Sequence, residues 1–195
     1  MPKTDYASLL QNATLAVSSK GGGTRSTQAK ITFESDSNGR PRISISTAQK
    51  RIFIKDGTFS RYVQILFLDQ RDPKNRSKGK ILVFFTFCDS DDGNNAVSIS
   101  NSVDSSGEIT RKNISYINSL SSLCTSVDIK PQELYSTTTE KNIERIKESN
   151  SYVITIPAKE ESELEKLIQE DERRVSEHKA RLAAKELDSP DSEDS

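Results

Sequence analysis

The stretch RYVQILFLDQRDPKNRSKGKILVFFTFC, residues 61–88, decides the fold of this chain. Arg61–Asp69 and Lys78–Phe87 are rich in the branched and aromatic residues that are typical of strands. The segment RDPKNRSKG joins them, and its Pro73 and Gly79 favour a turn. The stretch therefore predicts a β-hairpin with a basic loop, and its continuous apolar part, Ile81–Phe87, is expected at the centre of a sheet.

Shorter strand signals lie on both sides of this hairpin. The Asn-Gly pair within Ser37–Arg40 predicts a tight turn between AKITFES and the strictly alternating Arg42–Ser46. Ser46 or Thr47 is expected to cap a short helix that continues through Ile52. Thr110 is expected to cap a second short helix through Ile117 and Leu120, and SYVITIP predicts a last strand that ends at Pro157.

These signals predict an α+β, mainly β fold. We expect one compact strand-rich domain with two or three short helices, followed by a charged C-terminal helix and a disordered acidic tail. A small barrel and a twisted sheet with helices on one side both remain open. The expected boundaries are a flexible N-terminal arm with a Gly-rich linker (1–26), a strand-rich basic body (27–157), a charged helix (158–187) and the acidic tail (188–195).

The C-terminal helix is predicted from a different pattern. Residues 159–187 contain neither Gly nor Pro and are rich in helix formers. Ile168, Val175 and Leu182 recur every seven residues, but polar residues such as Asp171 occupy the second apolar position of each heptad. The pattern indicates a narrow apolar stripe that docks on the body or on a partner, and not a coiled coil.

Chemically reactive residues are few and scattered. His178 is the one histidine and lies in the charged helix, and neither Cys88 nor Cys124 belongs to a nucleophile or metal motif. The acidic loop that starts at Asp89 resembles a calcium loop only weakly, because Ser100 stands where a ligating Glu is needed. We therefore expect no enzyme activity, no cofactor and no metal.

The same survey predicts a location. No run of about 18 apolar residues is present, and no secretory signal is recognised at the N-terminus. Two widely spaced cysteines fit reduced thiols. The expectation is a cytoplasmic protein without a membrane partner.

Charge is distributed unevenly along the chain. Residues 159–195 hold 7 basic and 13 acidic side chains, whereas residues 40–80 hold eleven basic and three acidic ones. An excess of positive charge like that of residues 40–80 raises the local concentration of polyanions, although such a segment can also be an ordinary solvated surface. This asymmetry is the main functional signal of the sequence.

The first functional hypothesis is binding of nucleic acid, most of all single-stranded DNA. Such binding needs a cationic groove and aromatic faces on which bases stack. Phe59 and Tyr62 are expected to be exposed for stacking, and the loop 71–80 is expected to grip phosphates. The candidate binding residues are Arg42, Lys50, Arg51, Lys55, Phe59, Arg61, Tyr62, Arg71, Lys74, Arg76, Lys78 and Lys80.

In layout, the basic body and acidic tail resemble the acidic-tailed single-stranded DNA-binding proteins of bacteria and their viruses. The resemblance implies a tail that competes with DNA and recruits protein partners, here through residues 159–195. The tails of that family commonly finish on an apolar or aromatic residue, whereas this chain finishes Glu193-Asp194-Ser195. We expect the tail to fold back on the basic face.

The alternative hypothesis is an assembly or scaffold subunit of a larger protein complex, whose oligomeric state the sequence leaves open. One geometric test separates the two. If Arg42, Arg51, Arg61, Arg76 and Lys78 converge on one surface, nucleic-acid binding ranks first. If they scatter, the basic segment is ordinary solvation and assembly ranks first.

Overall fold

A computed structural model describes residues 28–90, 96–146 and 149–187. The predicted N-terminal arm, the acidic tail and residues 91–95 of the weak calcium-like loop lie outside the described residues. The strands are β1 (Lys30–Ser35), β2 (Pro41–Ile45), β3 (Tyr62–Asp69), β4 (Lys80–Cys88), β5 (Val97–Ser98), β6 (Ser115–Ile117), β7 (Ser136–Thr139), β8 (Ile143–Arg145) and β9 (Ser151–Pro157). The helices are α1 (Thr47–Lys55), α2 (Leu120–Thr125), α3 (Pro131–Leu134) and α4 (Glu161–Leu187), with a short 3-10 turn at Glu140–Asn142.

The strands form two antiparallel sheets, and the predicted α+β, mainly β fold class is confirmed. The four-stranded sheet has the order β6-β2-β1-β7, and the five-stranded sheet has the order β5-β3-β4-β9-β8. Within the described residues this two-sheet arrangement replaces the single twisted sheet that the sequence left open. Partners far apart in sequence complete both sheets, because β6 and β7 join the β1–β2 hairpin and β9 joins the β3–β4 hairpin.

The stretch that opened the sequence analysis forms the hairpin that its composition predicted. β3 and β4 pair in register from Tyr62 opposite Cys88 to Asp69 opposite Ile81. β4 is the third of five strands, so the prediction that Ile81–Phe87 lies at the centre of a sheet is confirmed. Its side chains at 81, 83, 85 and 87 are buried, and the alternate ones face the opposite side of the sheet.

The two sheets share one hydrophobic core. Phe33 of β1 meets Phe85 of β4 edge-on, with ring centroids 6.2 Å apart. α1 closes one end of this core because Phe53 packs on Phe87 and Tyr152 at centroid distances of 5.0 and 4.5 Å. The predicted cap of α1 is confirmed, since the Ser46 hydroxyl accepts a hydrogen bond from the Gln49 N–H at 3.2 Å.

The predicted helix from Thr110 to Leu120 is wrong. Ser115–Ile117 is instead strand β6, which pairs with Ile43–Ile45 of β2, and α2 begins only at Leu120. The Thr110 hydroxyl accepts from the Lys112 N–H at 3.2 Å and so shapes a turn. Sheet pairing with a distant strand outweighs the local helical pattern here.

α4 docks on the body, which confirms one of the two expected roles of its apolar stripe. Ile168 and Val175 are partly buried, whereas Leu182 is exposed. The residue that anchors the helix is Asp171, whose carboxylate accepts hydrogen bonds from the Gln132 side-chain amide at 2.8 Å and the Tyr135 hydroxyl at 2.6 Å. A polar position that seemed to interrupt the stripe is therefore the centre of the contact.

Candidate functional site

The basic residues of segment 40–80 do not share one surface. Arg51, Lys55 and Arg61 are exposed on α1 and just before β3, whereas the loop after β3 carries another group. Eight strand residues at about 3.3 Å each separate these two groups by roughly 25 Å. Arg42 lies apart from both, because it faces outward from the other sheet, bonds Glu34 at 3.1 Å and stacks over the Tyr116 ring at 4.5 Å.

Lys50 is a candidate binding residue that the fold withdraws from solvent. Its side chain is 0% exposed, and its Nζ donates to the Asn101 carbonyl at 3.2 Å and the Ser115 hydroxyl at 3.0 Å. Burial lowers the pKa of Lys50 to about 8. The expectation that Lys50 contacts an external polyanion is therefore wrong for this conformation.

Arg71 is the second buried cation, with a side chain that is 4% exposed. It donates from Nε to the Asp69 carboxylate at 2.8 Å, and its Nη1 pairs with the buried carboxylate of Glu133. The side-chain hydrogen bonds from Arg71 lower the pKa of Asp69. Arg71 thus fixes the base of the loop to α3 and is not free to grip a phosphate.

The aromatic residues proposed for base stacking are also placed differently from the expectation. Phe59 is 6% exposed and packs on Phe87 with centroids 5.3 Å apart, so its predicted exposure is wrong. Tyr62 is half-buried on the outer side of the five-stranded sheet. Neither residue lies beside the basic loop, because both belong to the opposite end of β3.

The loop at 70–79, here called the basic loop, is shaped by its own polar side chains. The Asp72 carboxylate accepts from the Lys74 N–H at 2.8 Å, and the Asn75 side chain accepts from the Ser77 N–H at 3.1 Å. Gly79 adopts φ +104°, and a Cβ there would collide with the Gln70 carbonyl oxygen. These contacts hold Lys74, Arg76, Lys78 and Lys80 outward, where they are exposed.

A cavity of about 370 Å³ lies between the basic loop, α3 and the start of α4. Its charged lining consists of five basic and two acidic residues: Arg71, Lys74, Arg76, Lys130, Lys159, Glu133 and Glu161. Burial lowers the pKa of Lys159. Four exposed predicted site residues (Lys74, Arg76, Lys78 and Lys80) therefore gather at this end of the molecule, with the buried Arg71 at the base of the loop. Arg51, Lys55, Phe59, Arg61 and Tyr62 lie at the other end of β3, Lys50 is buried, and Arg42 lies on the other sheet.

α4 starts beside the basic loop, where the Ala158 N–H donates to the Gly79 carbonyl at 3.0 Å. From there its 27 residues extend for about 40 Å along the body. The first turn of the helix lies beside the basic loop. The acidic tail after Leu187 lies outside the described residues, so its expected fold-back on the basic face stays a prediction.

An exposed apolar face covers the outer side of the five-stranded sheet. Leu66 is 55% exposed and Leu68 47% exposed, although both lie within the strongest hairpin. Cross-strand pairing places them beside half-buried apolar neighbours on the same side: Leu82, Phe84 and Val153. We call these five residues the apolar face.

Within the described part of the chain, β5 is the one strand that pairs with the edge of β3 next to this face. β5 covers only Tyr62 and Val63. The Gln70 N–H donates to the Lys80 carbonyl of β4. Along an antiparallel strand, the backbone groups of successive residues point alternately toward and away from the neighbouring strand. The backbone groups of Ile65, Phe67 and Asp69 therefore point away from β4. No described residue pairs with them. Proteins usually blunt such edges, as this one does at its other edge with the short, charged strand β8.

A groove of about 480 Å³ runs between this open edge and α2, and we call it the edge groove. Its apolar lining includes Ile65, Phe67, Val97, Leu123 and Val127. One end meets the basic loop, because Arg76 donates to the carbonyl of Asp128, the neighbour of Val127, at 3.4 Å. Sequence periodicity gave no sign of this groove, since its walls come from segments about 55 residues apart.

Reactive groups do not converge at any of these surfaces. Cys124 is fully buried, and burial raises its pKa to about 12; burial also raises the pKa of the half-buried Cys88. Among the described residues no three His, Cys, Asp or Glu side chains are grouped as metal ligands. None of the described helices has the length and apolar character needed to cross a membrane.

Comparison with protein families, with characterised proteins and with solved structures gives no match for this chain. Functional inference therefore depends on the surfaces described above.

Proposed function

We propose that this chain is a non-catalytic assembly module that binds a protein partner through the open side of its five-stranded sheet. One observation carries the proposal: Leu66 and Leu68 are exposed on the apolar face, beside an edge of β3 that β5 alone covers within the described residues. Contiguous exposed apolar surface next to an unblunted edge is typical of a surface that another protein covers. The scatter of the basic residues ranks this hypothesis above nucleic-acid binding.

The variant Leu66→Thr/Leu68→Thr tests the proposal. Threonine keeps the strand propensity, and both positions are exposed, so we expect the stability to change by less than about 1 kcal/mol. The tagged full chain, cross-linked in cells that express it, should lose a co-purifying protein at least tenfold in this variant. Quantitative mass spectrometry measures the loss, and light scattering at several concentrations reports self-association.

The matched control is Ile109→Thr/Leu182→Thr, which removes two exposed apolar side chains from segments outside the five-stranded sheet. It should retain the partner. A chain that is strictly monomeric, and whose co-purifying proteins are the same in all three forms, contradicts the assembly function.

A second candidate function is binding of nucleic acid, restricted to the basic loop. The supporting observation is that Lys74, Arg76, Lys78 and Lys80 are exposed around one turn and border a cavity with a basic lining. Phosphate contacts of this kind give affinity that falls with salt. Because no described aromatic residue is exposed beside the loop, its described neighbours supply charge but no stacking platform.

Fluorescence anisotropy with labelled oligo-dT at rising salt tests this candidate. Lys74→Glu/Lys78→Glu should weaken binding at low ionic strength at least tenfold and flatten the salt dependence. Arg51→Glu/Arg61→Glu makes the same charge change about 25 Å away and should alter the affinity less than threefold. Absence of binding to oligo-dT at low ionic strength rules out the candidate.

A further inference from the structure

We infer that the cavity between the basic loop, α3 and the start of α4 binds a small soluble ligand that carries two or more phosphate groups. Its volume of about 370 Å³ is within the range of small-molecule sites. The inference goes beyond the assembly function and does not depend on it. The cavity shares Lys74 and Arg76 with the nucleic-acid candidate, but Lys130 and Lys159 come from outside the basic loop.

Lys159 places a buried cation in the wall of this cavity. Its side chain is 9% exposed, and the exposed carboxylate of Glu163 lies 4.0 Å from its Nζ. Among the described residues, Nζ has this ion pair and no hydrogen bond. Burial without a close counter-ion lowers the pKa of Lys159. An anion in the cavity would supply the partner that this ammonium group lacks.

The arginines of the lining already have carboxylate partners. Arg71 pairs with Asp69 and Glu133. Arg76 Nη2 lies 3.7 Å from the Asp69 carboxylate and 3.6 Å from that of Glu133. These two cations and two anions balance each other, so the positive charge that remains for a ligand belongs to the lysines of the lining.

Three lysines reach the cavity from three separate segments. Lys74 belongs to the basic loop, Lys130 immediately precedes α3, and Lys159 lies two residues before α4. The acidic lining residue outside the balanced group is Glu161, which is exposed in the first turn of α4. Lysine is a common phosphate ligand, and cations on separate walls favour a ligand with several phosphate groups over a single phosphate.

The rest of the lining indicates a ligand that is polar throughout. Asn75 and Ser77 add an amide and a hydroxyl group, and Leu164 adds one apolar side chain. None of the described lining residues is aromatic, so this wall offers no ring on which a base would stack.

The internal segments outside the described residues are attached at the other end of the five-stranded sheet. Residues 91–95 follow β4 beyond Cys88, and residues 147–148 precede β9, which begins at Ser151. The cavity lies at the opposite ends of these strands, roughly 20 Å away. Loops of five and two residues extend about 10 Å at most from their ends. Residues 1–27 hold three basic side chains and one acidic one, so their charge does not match a basic cavity.

Isothermal titration calorimetry of the full chain with inorganic triphosphate, pyrophosphate and phosphate tests the inference. We expect the affinity to fall at least tenfold from triphosphate to phosphate. Lys130→Gln/Lys159→Gln should weaken triphosphate binding at least tenfold. The matched control Lys78→Gln/Lys80→Gln removes the same charge from exposed residues beside the cavity and should weaken it less than threefold. Equal losses in the two variants, or no binding of triphosphate, overturn the inference.

Two single variants separate ligand contact from damage to the fold. Lys130 is exposed, so Lys130→Gln should leave the circular dichroism spectrum unchanged and weaken triphosphate binding at least threefold. Glu161→Gln removes a negative charge from the lining and should strengthen binding about threefold, which a disturbed fold would not do. Unchanged affinity in both variants contradicts the assigned site.

Other anions give different results. Binding to phosphatidylcholine vesicles that contain cardiolipin, a lipid with two phosphate groups, without competition by triphosphate assigns the lysines to a membrane surface and overturns the inference. Triphosphate affinity that rises tenfold in Asp191→Asn/Glu193→Gln/Asp194→Asn assigns the cavity to the acidic tail of the chain, with the same consequence. If triphosphate does not bind while Lys74→Glu/Lys78→Glu still weakens oligo-dT, the cavity site fails and the nucleic-acid candidate stands.

Discussion

The variant Arg71→Met is expected to lower the free energy of unfolding by about 3–5 kcal/mol, the usual cost of removing one member of a buried ion pair. Glu133 would keep a buried carboxylate with only the Lys130 N–H at 2.7 Å and the half-exposed Arg76 at 3.6 Å as partners. Urea unfolding followed by circular dichroism measures the change.

Two controls show whether the buried pair causes this loss. The double variant Arg71→Met/Glu133→Gln removes the orphaned charge but keeps the acceptor for the Lys130 N–H, so it should be more stable than Arg71→Met alone. Arg42→Met breaks the half-exposed pair with Glu34 and should cost about 1 kcal/mol or less. Equal losses in Arg71→Met and Arg42→Met would contradict the assigned role.

The second ion pair of Arg71, with Asp69, predicts how stability depends on acid. Hydrogen bonds from Arg71 lower the pKa of Asp69 in the folded chain below the value of about 3.9 that an unfolded chain has. This stabilisation is therefore present above pH 4 and is lost as the pH falls through the lowered pKa. In Arg71→Met the pKa of Asp69 should return toward its ordinary value, so the difference in stability between the two proteins should shrink as the pH falls below 4.

The second large effect has the opposite sign: Lys50→Met is expected to stabilise the protein at pH 7 by as much as about 3 kcal/mol. The pKa of Lys50 is lowered from 10.5 to about 8, so at pH 7 the fold carries a buried charge that has no carboxylate partner. Methionine fills a similar volume without that charge. The Asn101 carbonyl keeps a donor, because the Ser115 hydroxyl also bonds it at 3.1 Å.

The lowered pKa of Lys50 also predicts how the stability difference between the two proteins changes with pH. Between pH 8 and 10.5 the unfolded chain binds a proton at Lys50 that the folded chain does not, so the wild type gains stability over this range. The difference in the free energy of unfolding between the wild type and Lys50→Met should therefore disappear by pH 10.5. The control Lys55→Met, exposed on the same helix, should change stability by less than about 0.5 kcal/mol at both pH values. A Lys50→Met variant that is less stable than the wild type at pH 7 would mean that the Nζ hydrogen bonds outweigh the cost of burial.

Local patterns were sufficient for much of the fold. The hairpin of β3 and β4, the turn before β2, the Ser46 cap and the helix after Pro157 all depend on neighbours within a few residues. The helix expected after Thr110 failed for the opposite reason. There the strand Ser115–Ile117 depends on pairing with β2, about 70 residues earlier.

The candidate site was less predictable, because burial is decided by distant partners. A count of charges does not distinguish Lys50 and Arg71 from their exposed neighbours. The two hydrogen-bond partners of Lys50 are 51 and 65 residues away in sequence, and Glu133, which pairs with Arg71, is 62 residues away. Asp171 looked like an interruption of an apolar stripe until Gln132 and Tyr135 supplied its hydrogen bonds. The exposure of Leu66 and Leu68 was equally hidden, since a strand pattern does not state which face of the strand another element covers.

The order of strands in the five-stranded sheet also governs what happens while the chain is being synthesised. β4 is complete at Cys88, but its second neighbour begins only at Ser151, 63 residues later. At about 5–20 residues per second, the ribosome adds those residues over roughly 3–13 s. For that interval the most apolar strand of the chain has an unpaired edge, so the nascent protein depends on chaperones or on dilution more than the finished fold does.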